Sequence, residues 1–472
     1  MGLASRLFNG AAEQTLYARV TPSTEQVEFL QTRWNELAEH LKRELSQRHG
    51  YAVSTWLQGS YKYATLIKPV HKGERYDVDL GVYFEWDAGE QNIEPTPRQL
   101  RDWVQRELHA FKTQTRTLVE VVEPPKDRCS RAVYEQQFHI DTPTYHLDRR
   151  RDRRRLAHLE HGWEDRDPKP LYKWFKDIAD GEDRDQMRRL IRYLKAWAAV
   201  GFRDAPDARP SSVMLSVLVA NSYCAFMRQL GRLWEREEDD DALRTVIRDV
   251  HERLLRDPVV PNPIDEGEDL NRIAADQWGA FLSRWQALRD AAEAATGAED
   301  EVTAALAWSQ AFSFLMPLPE AEEVEVVNPA GRALMVLPEI RVDVFARKPR
   351  RHVAGHMNGV PGVARDCDLV FTITNPHVVP DMATVEWTVR NEGQESALIG
   401  DLGHRWSGAR MFSVEEKTAY VGLHHMDCVI RVHGSVYAVR RVPVTVRDIK
   451  HLAPPSSNNP GWRRLKSAKK RW

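Results

Sequence analysis

The chain has 472 residues, enough for roughly three ordinary domains or two larger ones, so one small domain is excluded. Hydrophobic residues make up 42% of it, with 15 Trp, 14 Phe and 13 Tyr, which supplies apolar surface for several cores and excludes general disorder. Its 67 Lys and Arg stand against 69 Asp and Glu, and the resulting net charge of -2 excludes a protein that coats nucleic acid through bulk charge.

The N-terminus MGLASRLFNGAAE carries no apolar run of signal-peptide length, and no stretch of about 20 apolar residues follows, so a cytoplasmic protein without a membrane partner is expected. Gly2 is followed by Arg6 where a myristoylation signal needs Ser or Thr. Cys129, Cys224, Cys367 and Cys428 lie far apart and form no CxxC pair, which fits reduced thiols rather than a structural zinc site.

From Ser23 onward, Val27, Leu30, Trp34, Leu37, Leu41 and Leu45 recur every three or four residues, and Ser23 and Gln26 have capping-box spacing. This predicts a long amphipathic helix ending near Gly50. Beyond Gly59-Ser60 a strand is expected with Val78, Leu80, Val82 and Phe84 on one face and Asp77, Asp79 and Tyr83 on the other. Residues 116–123 and 134–142 read as two further strands around the loop EPPKDRCSR, the second alternating Phe138 and Ile140 with His139 and Asp141. A mixed sheet follows from these three strands. RRRDRRR at 149–155 carries six arginines, and from about residue 183 the pattern turns helical through DRDQMRRLIRYLKAWAAV and SSVMLSVLVANSYCAFMRQL. EREEDDD at 235–241 is expected to be a solvated helix end or loop, and VVPNPIDEGED at 259–269 a proline-rich connector. LPEAEEVEVVNPA at 318–330 marks the main boundary. After it, Ile340/Val342/Val344, Leu369/Phe371/Ile373, Val385/Trp387/Val389 and Val442/Val444/Val446 alternate with polar neighbours as strands do. The last ten residues, RRLKSAKKRW, hold six basic side chains and follow PPSSNNP, which reads as a flexible tail.

Phosphoryl transfer from a nucleotide needs cations to neutralise the triphosphate, and Mg²⁺ takes hard oxygen ligands. Asp-x-Asp on a strand offers two such ligands on one face, and a carboxylate on a neighbouring strand, Asp141 in FHIDTP, offers the third that a two-metal mechanism requires. Two like charges about 4 Å apart repel by roughly 4 kcal/mol at an effective dielectric of 20, so such a cluster predicts a bound cation. In GSYKYATLIKP, Gly59-Ser60 stands before an expected helix start, where free N–H groups bind phosphate. His139 shares the face of Asp141 but reads as a hydrogen-bonded neighbour rather than a base.

GSYKYATLIKPV, YDVDLGVYF and FHIDTPTY, in that order, resemble the bacterial CD-NTases, relatives of cyclic GMP-AMP synthase. The resemblance continues through HGWEDRDPKPLYKWF, RLIRYLKAWA, RPSSVMLSVLVA and VPNPIDEGEDLN and covers roughly the first 300 residues. It implies an α/β (α+β) chain with a polymerase-β-type nucleotidyltransferase core, over 1–160 with the long N-terminal helix, and a helical subdomain over 161–317. It further implies an enzyme that joins NTPs, ATP and GTP foremost, into a cyclic di- or trinucleotide with release of pyrophosphate. By the same resemblance Asp77, Asp79 and Asp141 are catalytic and hold two Mg²⁺ ions, or Mn²⁺ in their place, and Asp141 helps activate the hydroxyl. Gly59, Ser60 and Lys195 would bind the nucleotide phosphates, and Ser211 or Ser212 the donor nucleotide, with a helix N-cap as the equal alternative for the last two.

VEWTVRNEG and YVGLHHMDCVIRV resemble the C-terminal AGS-C-like sensor domain attached to some of these enzymes, here a β-rich domain over 331–450 followed by the basic tail 451–472. Arg341, Arg440 and Trp387 are candidate nucleotide contacts there, against a reading as solvated strand faces and a core tryptophan. The family implies a second messenger that activates a separate effector in anti-phage defence. A regulator encoded in the same operon and acting at the tail is expected, and no obligatory nucleic-acid activator. Nucleotidyl transfer to RNA or protein is the rival activity, since the metal chemistry is shared and RRRDRRR could meet phosphates.

Overall fold

The computed structural model describes residues 2–12, 14–87, 94–135, 137–230, 237–319 and 337–449. The basic tail 451–472 and residues 320–330 of the 318–330 linker lie outside the described residues. Two compact units emerge. One comprises residues 1–324 with 388–390 and 394–405, and the other comprises 325–387, 391–393 and 406–472.

The first unit opens with two short helices, α1 (Ser5–Asn9) and α2 (Leu16–Val20), and the long α3 (Thr24–His49). Ser23 and Gln26 close the expected capping box on α3, and Gly50 ends it in the left-handed conformation that glycine adopts without strain. Strands β1 (Ala52–Gln58), β2 (Tyr76–Glu85), β3 (Leu118–Val121), β4 (Cys129–Tyr134), β5 (Phe138–Asp148), β6 (Arg153–His158) and β7 (Gly162–Asp165) form one sheet, with the four-residue α4 (Gly59–Lys62) after β1 and α5 (Pro97–Gln114) after β2. Its order is β1-β2-β5-β4-β3, and β6 extends the long β5 towards β7. β2 and β5 run parallel. One face is dry: Leu30, Leu37, Leu41 and Leu45 of α3 and Leu100, Val104 and Leu108 of α5 pack on Val78, Leu80, Val82 and Phe84. The period-two alternation therefore leaves Asp77 and Asp79 on the opposite face.

Three expectations need correction. The segment read as the loop EPPKDRCSR already contains the start of β4, whose polar-apolar alternation is weak because residues on both of its faces are buried. Residues 259–269 form a small hairpin, β8 (Pro261–Asn262) with β9 (Asp265–Asp269), instead of an irregular connector. Within EREEDDD, Asp239 and Asp240 are buried, because Asp239 receives Arg189 and the Tyr193 hydroxyl and Asp240 receives the Ala4 N–H. In RRRDRRR, Arg149 pairs with Glu85, Arg150 with Asp87, Arg151 with Asp148, Arg153 with Asp165, Arg154 with Asp152 and Asp167, and Arg155 with Glu94. A run that stands out as a phosphate-binding patch in sequence is engaged in ion pairs in the fold.

Helices α6 (Pro168–Asp177), α7 (Gly181–Gly201), α8 (Ser212–Leu230), α9 (Asp239–Arg256), α10 (Ala275–Thr296) and α11 (Glu301–Phe312) complete this unit. Their shared core holds Leu190, Leu194, Trp197, Leu218, Val246, Phe281, Trp285 and Trp308. The stretch Pro206–Met227 is long and apolar enough to cross a membrane by composition, yet Met214, Leu215, Leu218, Val219 and Tyr223 bury themselves in that core, so α8 reads as a core helix.

Past the linker, β10 (Ile340–Arg347), β11 (Arg350–Met357), β12 (Val360–Ala364), β13 (Cys367–Ile373), β14 (Ala383–Arg390), α12 (Gln394–Ile399), β15 (Gly403–Ala409), β16 (Ser413–Lys417), β17 (Gly422–Val432) and β18 (Ser435–Arg447) follow. They form sheets of order β11-β10-β13-β16 and β12-β18-β17-β14-β15. Trp387 is a core side chain whose indole N–H donates to the Met411 carbonyl. Arg341 pairs with Asp343, and Arg440 donates to the Pro338 carbonyl.

Candidate active site

The parallel register of β2 and β5 sets Asp77 beside His139 and Asp79 beside Asp141. Ligand atoms of Asp77, His139 and Asp141 all lie within 4.8 Å of one another. Asp77 is exposed, whereas His139 and Asp141 are buried. The His139 Nε2 is 2.8 Å from Asp77 Oδ1, and neither ring nitrogen makes a well-aligned hydrogen bond. His139, set aside on sequence grounds as a hydrogen-bonded neighbour, thus belongs to the converging group.

Asp79 turns its Oδ2 towards Gly59. A Cβ added at Gly59 would fall 2.0 Å from that oxygen, and Gly59 holds φ at +60°, so both space and backbone call for glycine here. Burial first, then the charges of Asp77 and Asp141, pushes the Asp79 carboxyl up to about 7. Asp141 behaves in the opposite way. Burial works to raise it, but the Arg131 Nε and Nη2 at 2.5 and 2.8 Å and the Lys126 Nζ at 3.2 Å outweigh that and hold it below the usual carboxylate range. The Cys129 thiol also donates to Asp141 Oδ2, at 3.3 Å, and burial together with that carboxylate pushes the thiol up to about 12.

A cleft of about 350 Å³ opens beside the cluster, lined among others by Ser60, Thr65, Asp77, Arg131, His139, Lys195, Arg209 and Ser212. The β1 end that carries Gly59-Ser60 is fixed by Gln58, which donates to the Tyr83 hydroxyl at 2.9 Å and accepts from Tyr145 at 3.1 Å. Lys195, buried on α7, donates to the Thr65 carbonyl and hydroxyl at 3.1 and 3.0 Å, and burial with the nearby Arg192 draws its ammonium down to about 7. The two serines divide their roles: Ser211 Oγ accepts from the Met214 N–H as the N-cap of α8, and Ser212 lines the cleft.

The donor set suits a hard divalent cation. Asp77 and Asp141 supply carboxylate oxygens and His139 a ring nitrogen within 4.8 Å of one another, while Asp79, on the same strand face, turns its Oδ2 towards Gly59 and is not part of that group. Arg131, Lys126 and Thr65 were not singled out in the sequence. Their signal was positional and long-range: Arg131 is the cross-strand partner of Asp141 only once β4 and β5 pair.

Residues 53–145 match the family model described as "Cyclic GMP-AMP synthase DncV-like, nucleotidyltransferase domain". Residues 325–447 match the "Adenylyl/Guanylyl and SMODS C-terminal sensor domain". A cyclic GMP-AMP synthase of Escherichia albertii is 28% identical over 420 residues, 88% of this chain and 89% of that protein. A c-di-GMP synthase of Roseivirga ehrenbergii is 23% identical over 331 residues, 60% of this chain and 82% of that protein. Among solved structures, Vibrio cholerae DncV cyclic AMP-GMP synthase aligns with a TM-score of 0.55 at 16% identity, over 67% of this chain and 97% of that one. The nucleotidyltransferase fold is therefore shared, and the cluster on β2 and β5 lies inside the matched domain.

Proposed function

We propose that this chain joins two or three NTPs, ATP and GTP foremost, into a cyclic oligonucleotide and releases one pyrophosphate per bond. The observation that carries this reading is the convergence of Asp77, His139 and Asp141 beside the Gly59-Ser60 turn within a DncV-like domain. In each step an acceptor ribose hydroxyl attacks the α-phosphorus of a donor NTP, the new P–O bond forms, and the bond to pyrophosphate breaks. Two Mg²⁺ ions, or Mn²⁺, held by Asp77, Asp79 and Asp141 would neutralise the triphosphate and the leaving pyrophosphate. Asp141, kept ionised by Arg131, takes the hydroxyl proton or directs its departure. Ser60 and the Gly59 turn bind donor phosphates, Lys195 adds a positive charge as it takes up a proton, and Ser212 faces the donor nucleotide from α8.

The relatives make products with different bases, cyclic GMP-AMP and c-di-GMP, so base choice is assigned to the cleft rim and not to the cluster. The cyclic product serves as a second messenger for a separate effector in anti-phage defence, with the sensor domain and the C-terminal tail as points of regulation. Transfer to RNA is disfavoured because the RRRDRRR arginines are already paired. Purified protein incubated with the four NTPs and Mg²⁺ should yield a phosphatase-resistant species whose mass is that of a closed cyclic oligonucleotide. Linear extension of an added RNA or labelling of a protein, without any cyclic product, would overturn the reading.

A further inference from the structure

A second cleft, of about 330 Å³, lies in the first unit and is lined by Asn9, Tyr17, Ala64, Asp185, Arg188, Arg189 and Arg192. That volume is at the lower end for small-ligand sites. Three arginines of α7 line it, Arg188 and Arg189 side by side and Arg192 one turn further on. Arg189 is committed to Asp239 through two hydrogen bonds. Arg188 meets Asp185, itself 65% exposed, and leaves its Nε buried without a partner. Arg192 lies 5.5 Å over the Tyr17 ring and donates to the Leu66 carbonyl at 3.2 Å. The cleft thus presents planar donors in excess of the carboxylates around them, the arrangement that recognises phosphate bidentately.

We propose that this cleft is a second anion site, distinct from the catalytic cleft, for a phosphate-bearing ligand between pyrophosphate and a nucleotide in size. Its back wall is the segment that serves the catalytic cleft. Ala64 lines the anion cleft and Thr65 and Leu66 line the other. The Thr65 N–H donates to the Ser60 carbonyl at 2.9 Å, Lys195 holds Thr65, and Arg192 holds Leu66. An anion that draws Arg192 towards itself loosens its hold on Leu66, one short segment away from the phosphate-binding turn, so filling this cleft changes NTP affinity in the other.

The binding claim does not depend on the reaction assigned above. Calorimetry of the full chain in EDTA with inorganic pyrophosphate, and in a parallel arm with AMP and ATP, counts the sites. Two pyrophosphates per chain are expected, one in Ser60→Asp, whose added charge closes the catalytic turn to phosphate, and none in Ser60→Asp/Arg188→Glu. Arg188→Glu alone should bind one, which keeps the test decisive if the Ser60 variants do not fold. AMP or ATP at least tenfold tighter than pyrophosphate at this site would identify a nucleotide as ligand, and equal or weaker binding would identify free pyrophosphate. A Ser60→Asp protein with native melting that binds no anion, or an Arg188→Glu protein that binds as many as the wild type, overturns the proposal.

Discussion

At the scale of single residues, the carboxylates on β2 and β5 oppose one another, Asp77 and Asp141 both raising Asp79. Asp77→Ala or Asp79→Ala should lower NTP turnover by at least about 100-fold, because a group that stabilises transition-state charge is lost. Melting in EDTA should stay level or rise, since repulsion is relieved. Turnover near wild type in the double variant would refute the assignment. Gly59→Ala places a methyl on Asp79 and forces a left-handed alanine, a strain of about 1–2 kcal/mol. Displacing the Asp79 carboxylate by about an ångström should also cost about 100-fold in turnover. Asp240 offers a pH test away from the cleft. Burial first, then Asp241, raises its folded-state value to about 6, above the usual ~3.9 of an unfolded aspartate. The folded chain therefore binds more protons between those values, and stability present at low pH is lost as pH rises through about 4 to 6. Asp240→Asn should raise stability by about 3 kcal/mol near pH 8 and change little near pH 4, read from thermal or urea unfolding.

At the scale of elements, two adjacent serines open α8, Ser211 as its N-cap and Ser212 on the cleft wall. Ser211→Ala removes the N-cap and should cost about 1 kcal/mol of stability with the NTP KM nearly unchanged. Ser212→Ala should leave melting alone and raise KM. The opposite pattern would move the contact to Ser211. The long α3 was legible in sequence because its signal is local: a capping box, a 3.6-residue apolar period and a terminal glycine. β4 was not, because a strand buried on both faces needs no clean alternation and its six residues are set by pairing with β3 and β5.

At the scale of the whole molecule, the boundary near residue 324 does not cut the chain into two consecutive pieces, since 388–390 and 394–405 belong to the first unit. Leu402 sits in that unit's core at 4% exposure, the Arg19 guanidinium donates to the Leu402 carbonyl, and Arg390 donates to the carbonyls of Ser313 and Met316. A chain ending at residue 319 should therefore melt lower than the full chain and bind a hydrophobic dye. Leu402→Ala in the full chain should cost about 2–5 kcal/mol. Equal melting of truncated and full chains would show that the returning segment contributes nothing.

The order of the motifs in sequence determined the chemistry to expect: Gly59-Ser60, then Asp77 and Asp79 with period two, then Asp141 on a later strand. That much is local, because alternation along one strand decides which side chains share a face. Only the tertiary structure decided which of them meet, since the β2–β5 register draws His139 into the cluster and β4 supplies Arg131 to hold Asp141 ionised. The same limit applies to charge. RRRDRRR looks free to meet phosphates and EREEDDD looks solvated because a sequence shows the charges but not their partners. Those partners, Glu85, Asp165 and Asp167 for the arginines and Arg189 and Ala4 for the aspartates, lie up to 236 residues away, and long-range pairing is a property of the folded chain alone.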